Sequence, residues 1–196
     1  MTKHRFGHCN TSPCLLTEET LGDAWASGSS VIVDIGFGSG EPVAAMARSF
    51  PEQIILAVDV HTPGIGDLVD RCQVEDIDNV FIIEADALEL LPTIPGPVSA
   101  VRTYFPDPWP KSRHHKRRLV QTPVIDAVAE RVMEGGFWHL ATDWAEYAEF
   151  ICATFDEHDV WQGGVIQRPD WRPVTHYERR AIREGRSVVD MWFTRI

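Results

Sequence analysis

Short apolar runs recur along this chain, each separated from the next by a stretch that reads as helix, and that alternation leaves few folds open. Val31–Ile35, Ile54–Asp59, Val80–Glu84, Val98–Phe105 and Phe137–Thr142 have the length and β-branched content of strands buried on both faces of a parallel sheet. Helical stretches are expected at Glu41–Phe50, with Pro42 in its first turn, and at Gly66–Gln73, Ala87–Leu91, Pro123–Met133 and Trp144–Glu157. Two further strands, around Val160–Gln167 and Val188–Thr194, bring the count to seven. Strands alternating with crossover helices predict a doubly wound α/β sheet, seven-stranded and mostly parallel, with helices on both faces. Residues 1–17 read as a flexible arm and 18–196 as a single domain, with an Arg-rich substrate loop at about 168–186.

On such a sheet ligands sit at the carboxyl ends of the strands, where the strand order reverses. The first strand runs into Asp34-Ile35-Gly36-Phe37-Gly38-Ser39-Gly40, whose alternate glycines let backbone approach a ligand closely. A dinucleotide fingerprint needs Gly-x-Gly-x-x-Gly/Ala. Counting from Gly36 puts Glu41 in the last place, and counting from Gly38 puts Val43 there, so the nicotinamide reading fails. Asp59 ends the second strand, where a carboxylate can accept ribose hydroxyls, and Asp86 follows the third. Asp86 also suits the N-cap of the helix from Ala87.

The charge distribution singles out two segments of a chain whose net charge is −11. Residues 102–118 carry six Lys/Arg against one Asp and residues 168–196 seven Arg against four acids, while the remainder carries −19. That reversal predicts a local footprint for phosphates on an otherwise acidic protein. In the first segment Asp107 stands between Pro106 and Pro108, which stiffen the backbone around it, beside Trp109. Lys111, Arg113, His114, Lys116, Arg117 and Arg118 follow as candidate phosphate contacts. The last three are expected to precede or open a helix, the end that disfavours cations unless an anion sits there. Trp109 can pack on a base or in the core.

The motifs Asp34–Gly40, Val60-His61-Thr62-Pro63-Gly64, Phe105–Arg118, Thr142-Asp143-Trp144 and Arg172-Pro173-Val174-Thr175-His176-Tyr177-Glu178-Arg179 resemble, in order and spacing, those of bacterial tRNA (guanine-N7)-methyltransferases. The resemblance spans residues 31–196 and implies a Rossmann-like class I methyltransferase that uses S-adenosylmethionine to methylate N7 of a guanine in the tRNA variable loop. It implies that Asp34, Gly36, Gly38, Gly40, Asp59, Asp86 and Asp107 line the cofactor, with Asp107 also catalytic. It further implies that Lys111, Asp143, Thr175, Tyr177 and Glu178 contact tRNA. Asp143 also has capping-box spacing to Glu146. The chain departs from the family pattern at Asp34, where Glu is usual, and at Ala181 and Arg186, where Gly and His are common. Two other readings fit the same residues: a methyltransferase of another RNA, and a non-catalytic RNA-binding paralogue.

No apolar run approaches the ~18 residues that cross a bilayer, and no secretory signal is evident, so no membrane is expected. Scattered Cys9, Cys14, Cys72 and Cys152 fit reduced thiols in a cytoplasmic protein. His4, His8, Cys9 and Cys14 match no zinc spacing, and no metal is expected. The sequence leaves the oligomeric state open.

Overall fold

The structure, a computed structural model, describes residues 30–196 together with Gly22, Trp25 and Gly28; the arm expected at 1–17 and the four residues His4, His8, Cys9 and Cys14 lie outside them. Seven strands form one sheet: β1 (Ser30–Ile35), β2 (Gln53–Asp59), β3 (Val80–Glu84), β4 (Val98–Tyr104), β5 (Val132–Thr142), β6 (Trp161–Ile166) and β7 (Val189–Arg195). Their order is β3-β2-β1-β4-β5-β7-β6. The first five are parallel, and β7 runs antiparallel to both β5 and β6. Strand order reverses between β1 and β4, so the loops after these strands flank the crevice.

Two apolar cores cover the two faces. Helices α1 (Glu41–Ser49) and α2 (Thr62–Val74) bury Val43, Met46, Leu68 and Cys72 against one face. Helices α3 (Ala87–Leu90), α4 (Thr122–Ala129) and α5 (Ala145–Phe155) pack Leu90, Ile125, Val128, Tyr147 and Ile151 against the other. Because side chains alternate along a strand, Val31, Val33 and Ile35 of β1 enter the second core while Asp34 points to the first face. That face carries a row of polar residues in register, Asp34 beside Arg102 and Arg102 beside His139.

Three elements differ from the sequence expectation. Helix α2 begins at Thr62 rather than Gly66, because Pro63 supplies a helical φ in the first turn and its missing amide is no loss there. Helix α4 ends at Ala129, and Val132 and Met133, read as helix end, instead begin β5, which passes through a bulge opposite Val98 and Ala100. The segment expected as a loop at 168–186 contains a sixth helix, α6 (His176–Arg183). Its start is fixed by Thr175, whose side chain accepts from the Glu178 amide at 3.0 Å. Among the described residues no helix is long and apolar enough to cross a membrane.

Candidate active site

The glycine turn after β1 is shaped by what packs on it. Gly40 is the N-cap of α1 at φ 69°, and a Cβ there would lie 2.6 Å from Leu68 Cβ. Gly64 lets the first turn of α2 close onto the Gly38 carbonyl, which a Cβ would meet at 1.9 Å. Asp59 ties the two together. One carboxylate oxygen accepts the Gly38 amide and the other the His61 amide, each at 2.9 Å. Each oxygen keeps a lone pair for a further donor.

A cleft of about 370 Å³ opens beside this turn, lined by Gly36, Asp59, Asp86, Thr103, Asp107 and Trp109 among others. Asp86 caps α3 by accepting the Leu88 amide at 2.8 Å and still borders the cleft, so its capping and lining roles coexist. The structure thus brings Gly36, Asp59, Asp86 and Asp107 together. Asp34 is set apart. It is 3% exposed and faces a separate pocket of about 20 Å³, room for about one water, shared with Tyr104, Thr175 and Tyr177. Gly36 borders both spaces. Burial pushes the Asp34 carboxyl up to about 7, with Arg102 opposing the shift and Asp59 adding to it. Its Oδ2 has no partner among the described residues. A buried carboxyl left half-satisfied beside a cavity is poised to accept a donor.

Asp107 is exposed on a segment pinned at both ends. Before it, Phe105 adopts φ 56° while its amide donates to the Ala141 carbonyl at 2.7 Å. After it, the Pro108 carbonyl accepts from Arg118 Nε at 2.8 Å, and Trp109 turns at φ 42°. Arg118, expected among the outward cations, is instead buried. Its buried guanidinium lies 4.9 Å from the ring centres of Tyr147 and Phe150 and pairs with Glu146 at 3.0 Å. The aromatic pocket on α5 is what draws it inward.

Lys111, Arg113, Lys116 and Arg117 are exposed and His114 is half-buried. A 3₁₀ helix spans Ser112–Arg117 and carries its cations in the last turn, and α4 starts only at Thr122. The expected conflict with a helix N-terminus does not arise: these cations sit at the end that favours them. Arg117 stacks over Trp109 at 4.9 Å and lines the cleft.

The second basic segment turns inward. Arg172 is 1% exposed and donates to Asp190 through Nε at 2.7 Å and Nη2 at 2.9 Å, and to Glu178 through Nη1 at 2.7 Å. Arg168 pairs with the other Glu178 oxygen at 2.8 Å. Asp190 continues to His139 Nε2 at 2.9 Å, and His139 Nδ1 to the Tyr104 hydroxyl at 2.9 Å. A carboxylate only accepts, so Nε2 carries the proton and Tyr104 donates to Nδ1. Burial pulls the His139 pKa down against the Asp190 hydrogen bond, which keeps the ring neutral. Thr175 and Glu178, expected on tRNA, are 3% exposed and engaged in the start of α6. Asp143, also expected on tRNA, pairs with Arg186 at 3.0 Å and caps nothing, since Trp144 is the N-cap of α5 and Glu146 is taken by Arg118. Of Thr175, Tyr177 and Glu178, only Tyr177 stands out from the protein, 44% exposed. The relay Tyr104–His139–Asp190 has no signature in the sequence; scattered over three strands, its members join only through sheet register.

A family described as "Putative methyltransferase" matches residues 28–191. The tRNA (guanine-N(7)-)-methyltransferase of Thiobacillus denitrificans is 41% identical over 169 residues, covering 84% of this chain and 74% of that protein. The Streptomyces coelicolor protein of the same name is 39% identical over 183 residues, with 90% and 68% covered. This chain belongs to the tRNA (guanine-N7-)-methyltransferase family. Its fold is shared more widely: the 16S rRNA methyltransferase KamB superposes with a TM-score of 0.67 at 15% identity, over 91% of this chain and 94% of that one. The seven-stranded sheet with one antiparallel strand is thus the class I methyltransferase architecture, as expected. Among the described residues no group of three or more His, Cys, Asp or Glu could hold a metal ion.

Proposed function

We propose that the chain transfers a methyl group from S-adenosylmethionine to N7 of a guanine in the variable loop of tRNA, as a cytoplasmic enzyme. The observation that carries this reading is Asp107: an exposed carboxylate on a doubly pinned segment, lining one cleft with Gly36, Asp59 and Asp86. The residues present fit the cofactor. Asp59 has lone pairs free for ribose hydroxyls and Asp86 lines the same cleft, while Asp34, in its separate small pocket, is reached only by way of Gly36, which borders both spaces. When bound, S-adenosylmethionine supplies the activated methyl group.

Guanine N7 has a free lone pair and no proton to lose, so no strong base is required. The protein must align nucleophile with methyl and stabilise positive charge growing on the purine. Asp107 does both, from a backbone segment that Arg118 and the Ala141 carbonyl hold on either side of it. Lys111, Arg113 and Lys116, all outward, hold the tRNA backbone beside it.

Incubating bulk tRNA with labelled cofactor and analysing the nucleosides should yield 7-methylguanosine. Asp107→Ala should lower the rate by about a hundredfold or more, as loss of a preorganised charge does, while tRNA affinity stays within about threefold. A parental rate from the variant overturns the catalytic assignment. Label in another nucleoside overturns the target.

A further inference from the structure

A carboxylate stabilises charge on a base only if the base is held in one plane, and the rings of Phe105, two residues before Asp107, and of Tyr177, which packs on Phe105, are placed to do so. Phe105 sits at φ 56°, a conformation that bulky side chains avoid unless their surroundings enforce it, and such outliers gather where a ligand is gripped. Its amide is fixed on the Ala141 carbonyl, and its ring lies nearly parallel to that of Tyr177, at an interplanar angle of 22° and 6.0 Å between centroids. Tyr177 is 44% exposed although Thr175 and Glu178, on the same turn, are buried. That turn is fastened by the Thr175 cap and by the Arg172 ion pairs, so an exposed ring has been mounted on a rigid base. Tyr177 also reaches the glycine turn, 3.8 Å from where a Gly38 Cβ would be. The pair therefore spans from the cofactor turn to the strand end that leads to Asp107.

We infer that Phe105 and Tyr177 form a stacking slot for the flat face of the target purine. The inference rests on the proposed methyl transfer and adds the element that presents the base. A ring between two others needs roughly 7 Å, twice the ~3.5 Å contact distance of stacked carbons, so the pair, with centroids 6.0 Å apart, opens to admit it. Tyr177, 44% exposed and backed by the His176 ring at 3.9 Å, is the more exposed half. Trp109, which lines the cleft itself, is engaged: Arg117 covers it at 4.9 Å and His114 meets it edge-on at 5.8 Å. Stacking does not read base identity. It fixes the plane, and Asp107 then acts on whichever ring nitrogen faces the methyl.

The test uses the full-length protein with S-adenosylhomocysteine and a tRNA transcript carrying 2-aminopurine, a base whose fluorescence stacking quenches, at the position found to be methylated. In the parental complex the probe should stay dim. With Tyr177→Leu, at an exposed position of a helix that the change leaves folded, it should brighten several-fold. Methylation of ordinary tRNA should fall about tenfold or more and tRNA affinity should move less than about threefold. Tyr177→Phe, which keeps the ring and loses the hydroxyl, should recover the dim complex and most of the rate. Phe105→Leu should brighten as Tyr177→Leu does. Parental dimness and rate in Tyr177→Leu overturn the slot, as does a Tyr177→Phe protein as defective as Tyr177→Leu. A parental protein that forms no 7-methylguanosine overturns the proposed reaction instead, so the two failures are told apart.

Discussion

The segment after β4 and the segment before β7 carry similar positive charge in the sequence, yet the fold uses that charge in opposite ways. In residues 102–118 two arginines go inward, Arg102 toward Gln53 and Trp171 and Arg118 onto α5, while Lys111, Arg113, Lys116 and Arg117 face solvent. In residues 168–186 Arg168, Arg172, Arg179, Arg180 and Arg186 are each paired with a carboxylate, on Glu178, Asp190, Glu41, Glu184 or Asp143. Only Arg183 of this segment has no ion pair among the described residues. The first segment is an outward-facing cationic surface held by one buried pin, and the second is a brace. Net charge counted along a chain therefore overstates the field it presents, because acids distant in sequence can neutralise cations that look available.

The comparison breaks most visibly at the two buried pins. Arg172→Met strands Asp190 and Glu178, whose side chains are 1% and 5% exposed, and a buried ion pair that loses one partner costs about 3–5 kcal/mol. The melting temperature should fall by about 10 °C. The deficit should grow with pH. Burial raises the Asp190 pKa, but hydrogen bonds from His139 and Arg172 outweigh it and hold it below the usual range. In the parent this carboxylate thus adds stability above its unfolded pKa, lost as pH falls. Without Arg172 burial prevails, the native state takes up a proton, and the variant recovers part of its loss on acidification. Thermal melts at pH 5 and pH 8 with equal deficits would remove the brace.

Arg118→Met should cost less than half as much in melting temperature, because its carboxylate partner Glu146 is 54% exposed and turns to water. Its effect on methylation should be disproportionate, about tenfold, since the Pro108 carbonyl is released and Asp107 loses one of its two anchors. Equal losses of stability and rate for the two variants would erase the distinction between a pin that serves a site and one that serves the fold.

The sequence is most legible where a residue's role depends on its own strand or turn. The β-branched runs, the glycine turn, and Asp59 and Asp86 at strand ends follow from local chemistry, and Asp107 between its prolines stands at the cleft. Roles that depend on a distant partner are not legible. Thr175 and Glu178 lie in a motif that also holds the exposed Tyr177. Only Asp190, on β7, reveals that Arg172 faces inward and draws Glu178 with it. Arg118 closes a run of basic residues and differs from Lys116 in meeting Tyr147 and Phe150, about thirty residues on. The bulge that starts β5 early depends on β4 and leaves no periodic trace in Val132–Gly136.

Among exposed cations the comparison becomes one of salt dependence. Lys111→Ala combined with Lys116→Ala should leave stability within about 0.5 kcal/mol, since both side chains are solvated. The slope of log tRNA affinity against log salt should fall by about 1.5, since each phosphate no longer neutralised by the protein removes about 0.7–0.9 from it.

The smallest effect is expected from Arg180→Ala, and it tests the brace from outside. Arg180 projects from α6 but is held by Glu184 at 2.8 Å, four residues on, where the pair spans one helical turn. Glu184 in turn also holds Arg186, which bonds Asp143 at 3.0 Å. A phosphate would have to compete with a carboxylate already in place, so removing Arg180 should shift tRNA affinity by less than about twofold and the salt slope by less than about 0.3. Glu184→Gln is the sharper partner experiment, because it frees Arg180 and loosens Arg186 without adding charge of its own. If that variant binds tRNA more tightly, with a steeper salt slope, then α6 is a phosphate-facing surface that Glu184 keeps neutral. If Arg180→Ala alone flattens the slope as much as the Lys111 and Lys116 pair does, the second segment is a nucleic-acid surface after all and the contrast between the two regions fails.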